Sequence, residues 1–356
     1  MDVEADTAVP FPIIDSHIHL YAGSHLQDLA WAPSLPDGHV LKQQNSVNQY
    51  RAVTKLQPNL KGFVFVETDR KSSLSKDGWK HALEEVNYLR RIKAGMPKEG
   101  EGHTAEDKPL LLGVVAWAPL GAPLPDLQKY VDRALEPEDG LIKGFRYLLQ
   151  DKPVASYLKP EFIDGLLLLE KAGAKTFDLG VDYRQGGRGQ LTAANEMLNE
   201  FHHKSTGALK IVINHFCKPN LGIEGIEGRS EESDFSLWHD EIAKMSELSC
   251  TYMKLSGFFS ELPPQSKDDP TSIRNLSEQT RPYIDVVFCL FRGRVMFGSD
   301  WPVCNVGGPG PSLSWQHWVN LVSAVLDEQE LTDAEKAHVW AGCANEVYGL
   351  GIDLSR

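Results

Sequence analysis

The sequence predicts an α/β fold: a distorted (β/α)8 barrel of the TIM type, with loop insertions over its catalytic face. Three observations predict it. Eight short apolar, β-branched runs alternate with longer stretches of helical periodicity. Eight such units favour a closed parallel barrel over an open doubly wound sheet. Neither a GxGxxG after the first run nor a GxxxxGK(S/T) anywhere in the chain supports a nucleotide-binding alternative.

The first strand is expected at residues 12–17 (PIIDSH), after a loose tail of residues 1–10. The second follows at 62–67 (GFVFVE) and the third at 111–117 (LLGVVAW), with a helix at 78–92 between them. A fourth strand at 142–146 (IKGFR) leads to a helix at 162–172 and then to a fifth strand at 176–181 (TFDLGV). A helix at 193–203 precedes the sixth strand, 210–215 (KIVINH), and the seventh is placed at 251–255 (TYMKL). A helix at 278–291 precedes the eighth strand at 294–298 (RVMFG). A terminal helix at 333–348, with Thr332 placed to cap it, closes the series. Residues 93–108, 220–235 and 263–272 are rich in Gly, Pro, Ser and acid and read as exposed insertions. The latter two follow strands six and seven, where they could roof a site.

Residues 11–356 are expected to form one barrel domain, because barrels with insertions reach this length. A net charge of −13 argues against nucleic acid or an anionic membrane as partner and leaves a small-molecule substrate. No apolar run has the length and composition of a membrane span, and the N-terminus lacks the basic and apolar regions of a signal peptide. Five scattered cysteines, odd in number and without CxxC spacing, read as reduced thiols of a cytoplasmic protein. Nothing in the composition fixes an oligomeric state.

Three motifs carry chemistry. Asp15-Ser16-His17-Ile18-His19 ends the first strand, and side chains two apart in a strand share a face. Asp15, His17 and His19 are therefore expected together inside the barrel mouth, where two imidazoles suit a Zn²⁺-like ion. The second motif, Phe297-Gly298-Ser299-Asp300-Trp301-Pro302, puts a carboxylate just past the last strand, as a metal ligand or a proton acceptor for water. The third ends the sixth strand with His215, which could polarise a carbonyl, orient water or join a metal. Arg146, Tyr183, Arg184, Lys254 and Glu67 are expected to contact substrate, and the indoles of Trp31 and Trp301 to form a flat wall. No GxSxG, no HExxH and no Cys–His pairing is evident, so hydrolysis by water fits better than a covalent intermediate.

These residues in this order resemble the amidohydrolase superfamily, in its amidohydrolase-related branch of lactonases and decarboxylases. GFRYLLQ (144–150), FDLGVD (177–182), INHFCKP (213–219), KLSG (254–257) and FGSDWP (297–302) look like the sugar-lactone hydrolases, above all fungal L-rhamnono- or L-fucono-lactonase-like proteins. The resemblance spans residues 13 to about 348 and implies that His17, His19, His215 and Asp300 occupy active-site positions. It implies hydrolysis of a cyclic sugar-acid ester by water, with Asp300 handling the proton. A metal-dependent decarboxylase of an aromatic or enoic acid is the alternative, and a non-catalytic barrel the third reading. The family's two-metal members add a carboxylated lysine on strand four and a second histidine on strand five. Here those strands end in Gly144-Phe145-Arg146 and in residues 178–181, so one divalent ion, Zn²⁺ foremost, or none is expected.

Overall fold

The computed structural model describes residues 8–221 and 234–355. The strands are β1 (Ile13–Ile18), β2 (Leu60–Val66), β3 (Leu111–Trp117), β4 (Ile142–Arg146), β5 (Thr176–Leu179), β6 (Lys210–Ile213), β7 (Thr251–Leu255) and β8 (Val295–Phe297). All neighbours pair in parallel in chain order, forming the expected (β/α)8 barrel. Alternation along β2 shows why these runs fold this way: Phe63 and Phe65 point out into the helical layer, and Val64 and Val66 point into the barrel.

No continuous ladder joins β8 to β1. The barrel closes instead just beyond β8, through a parallel bridge between Ile18 and Trp301. Its hydrogen bonds run from His19 N–H to the Trp301 carbonyl (2.7 Å) and from Asp300 N–H to the His17 carbonyl (2.8 Å). Below this seam Ser16 Oγ donates to the Phe297 carbonyl at 2.6 Å. The bonds that close the barrel therefore also bring two of the sequence motifs side by side.

The helices are α1 (Val47–Thr54), α2 (Lys80–Ala94), α3 (Leu124–Leu135), α4 (Pro160–Lys171), α5 (Tyr183–Lys204), α6 (Asp234–Ser246), α7 (Ile273–Leu290) and α8 (Ser314–Glu328). The terminal helix expected at 333–348 is α9 (Asp333–Ala337), a π turn (His338–Gly342) and α10 (Cys343–Val347). Thr332 caps it as expected, in a reciprocal box with Glu335. Cys343, Ala344, Val347 and Tyr348 plug the barrel floor against Ile14, Val64, Val115, Val212 and Met296. No described helix is long and apolar enough to cross a membrane.

Several local expectations change. The strand at 210–215 stops at Ile213, because His215, Phe216, Cys217 and Lys218 all have φ between 51° and 58°, a left-handed turn that no ladder accommodates. The helix expected from residue 193 begins at Tyr183, capped by Asp182 (Gln185 N–H donating, 2.8 Å) and broken once at Gly187. Val9 lies in the stretch expected to be loose, yet it is buried and its N–H donates to Gln57 Oε1 at 2.8 Å. Residues 1–7 lie outside the described residues. The segment 93–108 is not simply exposed: Glu101, His103 and Asp107 are buried, with Arg91 neutralising Glu101 (2.9 Å) and Arg51 neutralising Asp107 (2.9 Å). Of residues 220–235, only those outside 222–233 are described.

Candidate active site

The C-terminal ends of the strands surround a cleft of about 250 Å³, lined by His19, Trp31, Asp69, Arg146, His215 and Asp300 among others. His17 lies just beneath, fully buried. The Nε2 atoms of His17 and His19 are 3.3 Å apart, and they stand 3.6 and 3.4 Å from Asp300 Oδ1. His215 Nε2 lies 3.7 Å from the same oxygen. The four residues singled out in the sequence therefore converge on one carboxylate.

Asp15 does not join them. A register break between Asp15 and Ile18 interrupts the alternation that should have aligned Asp15 with His17 and His19. Its carboxylate turns outward and accepts from Ser299 N–H (2.8 Å), Tyr50 Oη (3.0 Å) and Trp315 Nε1 (3.0 Å). Asp15 thus ties β1 to the turn carrying Asp300 and to α1 and α8. Burial raises its pKa, against the pull of these donors.

Around Asp300 the charges are ordered. Burial alone would raise its pKa, but His215, His19 and Lys218 outweigh it and hold the carboxyl below its ordinary range. Burial, opposed by Asp300, drives His215 down to about 3, and burial together with Lys254 pushes His17 well below the usual histidine value. At neutral pH, His17 and His215 are therefore neutral and Asp300 is ionised. His19 Nδ1 sits 2.8 Å from the Val66 carbonyl; a carbonyl can only accept, so Nδ1 carries a hydrogen and Nε2 points to His17 and Asp300. His215 Nδ1 meets Ser256 Oγ at 2.8 Å.

Gly257 explains the glycine of the KLSG run. Its φ is 77°, and a Cβ there would lie 2.5 Å from His215 Nδ1. Gly257→Ala is expected to push the imidazole out of place and lower turnover about 10²-fold, the scale of a displacement near 1 Å. Steady-state kinetics checks this, and an unchanged kcat would show that His215 needs no such fixing.

The donor set fits one metal ion. Tetrahedral bonds of ~2.1 Å give ligand–ligand edges of about 3.4 Å, and His17, His19 and Asp300 stand 3.3 to 3.6 Å apart. They form the one such group found among the described residues. His19, with its Nδ1–H on a carbonyl, has the usual support of a ligating histidine. His17 has Lys254 Nζ 3.2 Å from its Nδ1. Ligation through Nε2 would put a hydrogen on Nδ1, and Lys254 can accept it only as the uncharged amine. Burial, opposed by Asp178, lowers the Lys254 pKa in that direction.

The expected substrate contacts divide. Trp31 and Arg146 line the cleft. Trp31 is held by Nε1 donating to the Thr68 carbonyl (2.8 Å). Arg146 is anchored to Glu67 by Nε (2.7 Å) and to the Glu67 carbonyl by a terminal nitrogen (2.6 Å). Glu67 is fully buried and serves as that anchor. Lys254 is fully buried on Asp178 at 2.6 Å, beneath the cleft. Tyr183 reaches Asp234 (3.5 Å) and Arg184 pairs with Glu261 (2.8 Å), both away from the lining. Trp301 is buried edge-on to Tyr50, with ring centroids 5.4 Å apart. Of the two segments expected to roof the site, most of the first, residues 222–233, lies outside the described residues. Tyr21, Trp31 and Leu41, from the segment after β1, line the cleft, whereas no residue of 263–272 does.

Asp69, Gln150, Asn214 and Lys218 are among the lining residues that sequence reading missed. Asn214 precedes the left-handed turn and Lys218 ends it, and Lys218 Nζ donates to Gln150 Oε1 at 3.2 Å. Asn214 Oδ1 is buried without a hydrogen-bond partner among the described residues, an acceptor awaiting a donor. Looking two residues beyond Glu67, three past the end of β2, would have found Asp69.

Residues 115–350 match the family described as amidohydrolase. The L-rhamnono-gamma-lactonase of Scheffersomyces stipitis is 30% identical over 96% of this chain and 99% of its own. The L-fucono-1,5-lactonase of Burkholderia multivorans is 26% identical over 68% of this chain and 73% of its own. Among solved structures, a zinc-bound amidohydrolase from Burkholderia multivorans superposes with a TM-score of 0.67 at 23% identity, covering 95% of this chain and 99% of that one. A manganese-bound dihydroxybenzoic acid decarboxylase from Polaromonas sp. JS666 gives 0.57 at 12% identity, over 96% of this chain and 98% of that one.

Proposed function

The chain belongs to the amidohydrolase family, and from that membership we propose that it is a hydrolase opening a sugar-acid lactone to the free acid. The observation that carries the reading is one ionised carboxylate, Asp300, ringed by three imidazoles at the foot of a cleft. That arrangement activates water. Of the five cysteines, Cys217, Cys250, Cys304 and Cys343 are buried with pKa values driven up by burial, and Cys289 lies in a separate cleft, so a thiolate nucleophile is disfavoured.

In this mechanism Asp300 takes a proton from water as it attacks the ester carbonyl. This step requires the tautomer in which Ser256 Oγ donates to His215 Nδ1, 2.8 Å away, and the Nε2–H of His215 meets the developing oxyanion. The Trp31 indole offers a flat wall to the sugar ring, and Asn214, Gln150, Lys218 and Arg146 supply partners for its hydroxyls. His17, His19 and Asp300 would hold a divalent ion, Zn²⁺ by donor type. Such an ion, when bound, polarises the carbonyl and eases ionisation of water.

A pH-indicator screen across aldonolactones of both ring sizes tests the reading; acid release is expected for L-rhamnono- or L-fucono-type lactones. Release of CO2 from aromatic or enoic acids, with no lactone opened, would favour a decarboxylase instead. Metal analysis of protein purified without added metal is expected to find at most one equivalent. A second ion would need further ligands, and the neighbouring candidates Glu67 and Asp178 are committed to Arg146 and Lys254. Two tightly held equivalents would contradict this.

A further inference from the structure

Opening a lactone also requires protonation of the ring oxygen as it departs. On the lactonase reading above, we propose that Asp69 is the general acid that delivers this proton, distinct from Asp300, the general base. Asp69 lies three residues past the end of β2 and lines the same cleft as His19, Arg146 and Asp300. Its backbone is pinned at both ends. The N–H donates to Glu67 Oε2 at 2.6 Å, and the carbonyl accepts from Ala30 N–H at 2.9 Å. Its φ of 52° is a left-handed conformation that Asp and Asn tolerate better than most residues. Strained backbone of this kind persists where the surroundings enforce it, and it clusters at active sites. The carboxyl itself has no hydrogen-bond or ion-pair partner among the described residues, although Glu67, Arg146, Asp151, Lys152 and Tyr147 all act on it from nearby.

The electrostatics separate the two acids. Burial first, then repulsion from Glu67, raises the Asp69 pKa to about 6, against the pull of Arg146 and Lys152. Asp300, by contrast, stands 3.4 to 3.7 Å from three imidazole nitrogens. Two carboxyls in such different surroundings divide acid and base work. Water's oxygen bonds to the carbonyl carbon while its proton passes to Asp300. The ring C–O bond then breaks with its electron pair on the ring oxygen, which takes the proton of Asp69. Asp69 is left as carboxylate and Asp300 as carboxylic acid. Proton exchange with solvent at the open mouth resets both.

The test compares Asp69→Asn with the unaltered enzyme on an aldonolactone and on dihydrocoumarin. The first leaves as an alkoxide, which needs a proton. The second leaves as a phenolate, whose conjugate acid has a pKa of about 10 and needs far less help. Asparagine keeps the backbone preference and cannot donate the acid proton. The expected result is a loss of kcat on the aldonolactone of ~10²–10⁴-fold, but of roughly tenfold or less on dihydrocoumarin. The descending alkaline limb near pH 6, set by loss of the Asp69 proton, should vanish in the variant. Retained dihydrocoumarin turnover doubles as the control for folding. Equal losses on both lactones, or none on either, would overturn the role of Asp69. An unaltered enzyme that opens neither lactone would overturn the lactonase reading, and this proposal with it.

Discussion

Replacing Asp300 by Asn should lower lactone turnover by ~10²–10⁴-fold while leaving the fold and ground-state binding nearly intact. Asp300 has a φ of 57°, which Asn accepts, and its N–H bond to the His17 carbonyl involves only backbone. The amide keeps the shape of the carboxylate but cannot take a proton from water. Circular dichroism and binding of an unreactive lactam analogue should match the unaltered protein. The pH profile carries the sign. Turnover needs the ionised form, which is present above the Asp300 pKa and lost as pH falls through it. That pKa lies below the ordinary 3.8, so the half-loss of activity for want of this base should fall below that value. Near-normal kcat in the variant would reduce Asp300 to a turn residue of the barrel seam.

The largest effect on stability is expected from Lys254→Met. Lys254 and Asp178 are both fully buried, 2.6 Å apart, with Tyr348 Oη (2.9 Å) and Thr176 Oγ1 (3.1 Å) also donating to Asp178. Removing this partner strands a buried carboxylate, which costs about 3–5 kcal/mol. Adding Asp178→Leu removes the stranded charge and should recover much of that loss, because a buried pair returns little over a well-packed apolar replacement. Urea unfolding of the two single variants and the double variant measures this, and additive losses would show that the pair is not coupled. Turnover should stay low even in the stable double variant, because Lys254 also sits 3.2 Å from His17 Nδ1.

How much of the site was legible follows from distance along the chain. His17 and His19 could be paired from sequence because one strand carries both, and a two-residue period is local geometry. Asp300 and His215 could be placed at the mouth because each follows an apolar run that ends where barrel strands end. The same local rule failed at Asp15, since a register break set by pairing with β2 reversed its direction. It failed again for Lys254. Alternation turned that side chain into the barrel correctly, but depth along the axis put it under the cleft, on Asp178.

Glu67 and Arg146 show the limit from the other side. Each was placed correctly at a strand end, yet only the curvature of the barrel, which brings the ends of β2 and β4 together across β3, made one the anchor of the other. Asp69 carried no local signal beyond its place after β2, because its character comes from burial and from charges on other strands. By itself the sequence determined the order of elements, the closed parallel sheet and the four residues that meet at its mouth, since hydrophobic period and strand ends are properties of short segments. Tertiary structure alone decided which polar side chains face the cleft and which bind one another, because in a buried space the pairing of polar groups depends on contacts between residues 76 to 300 positions apart.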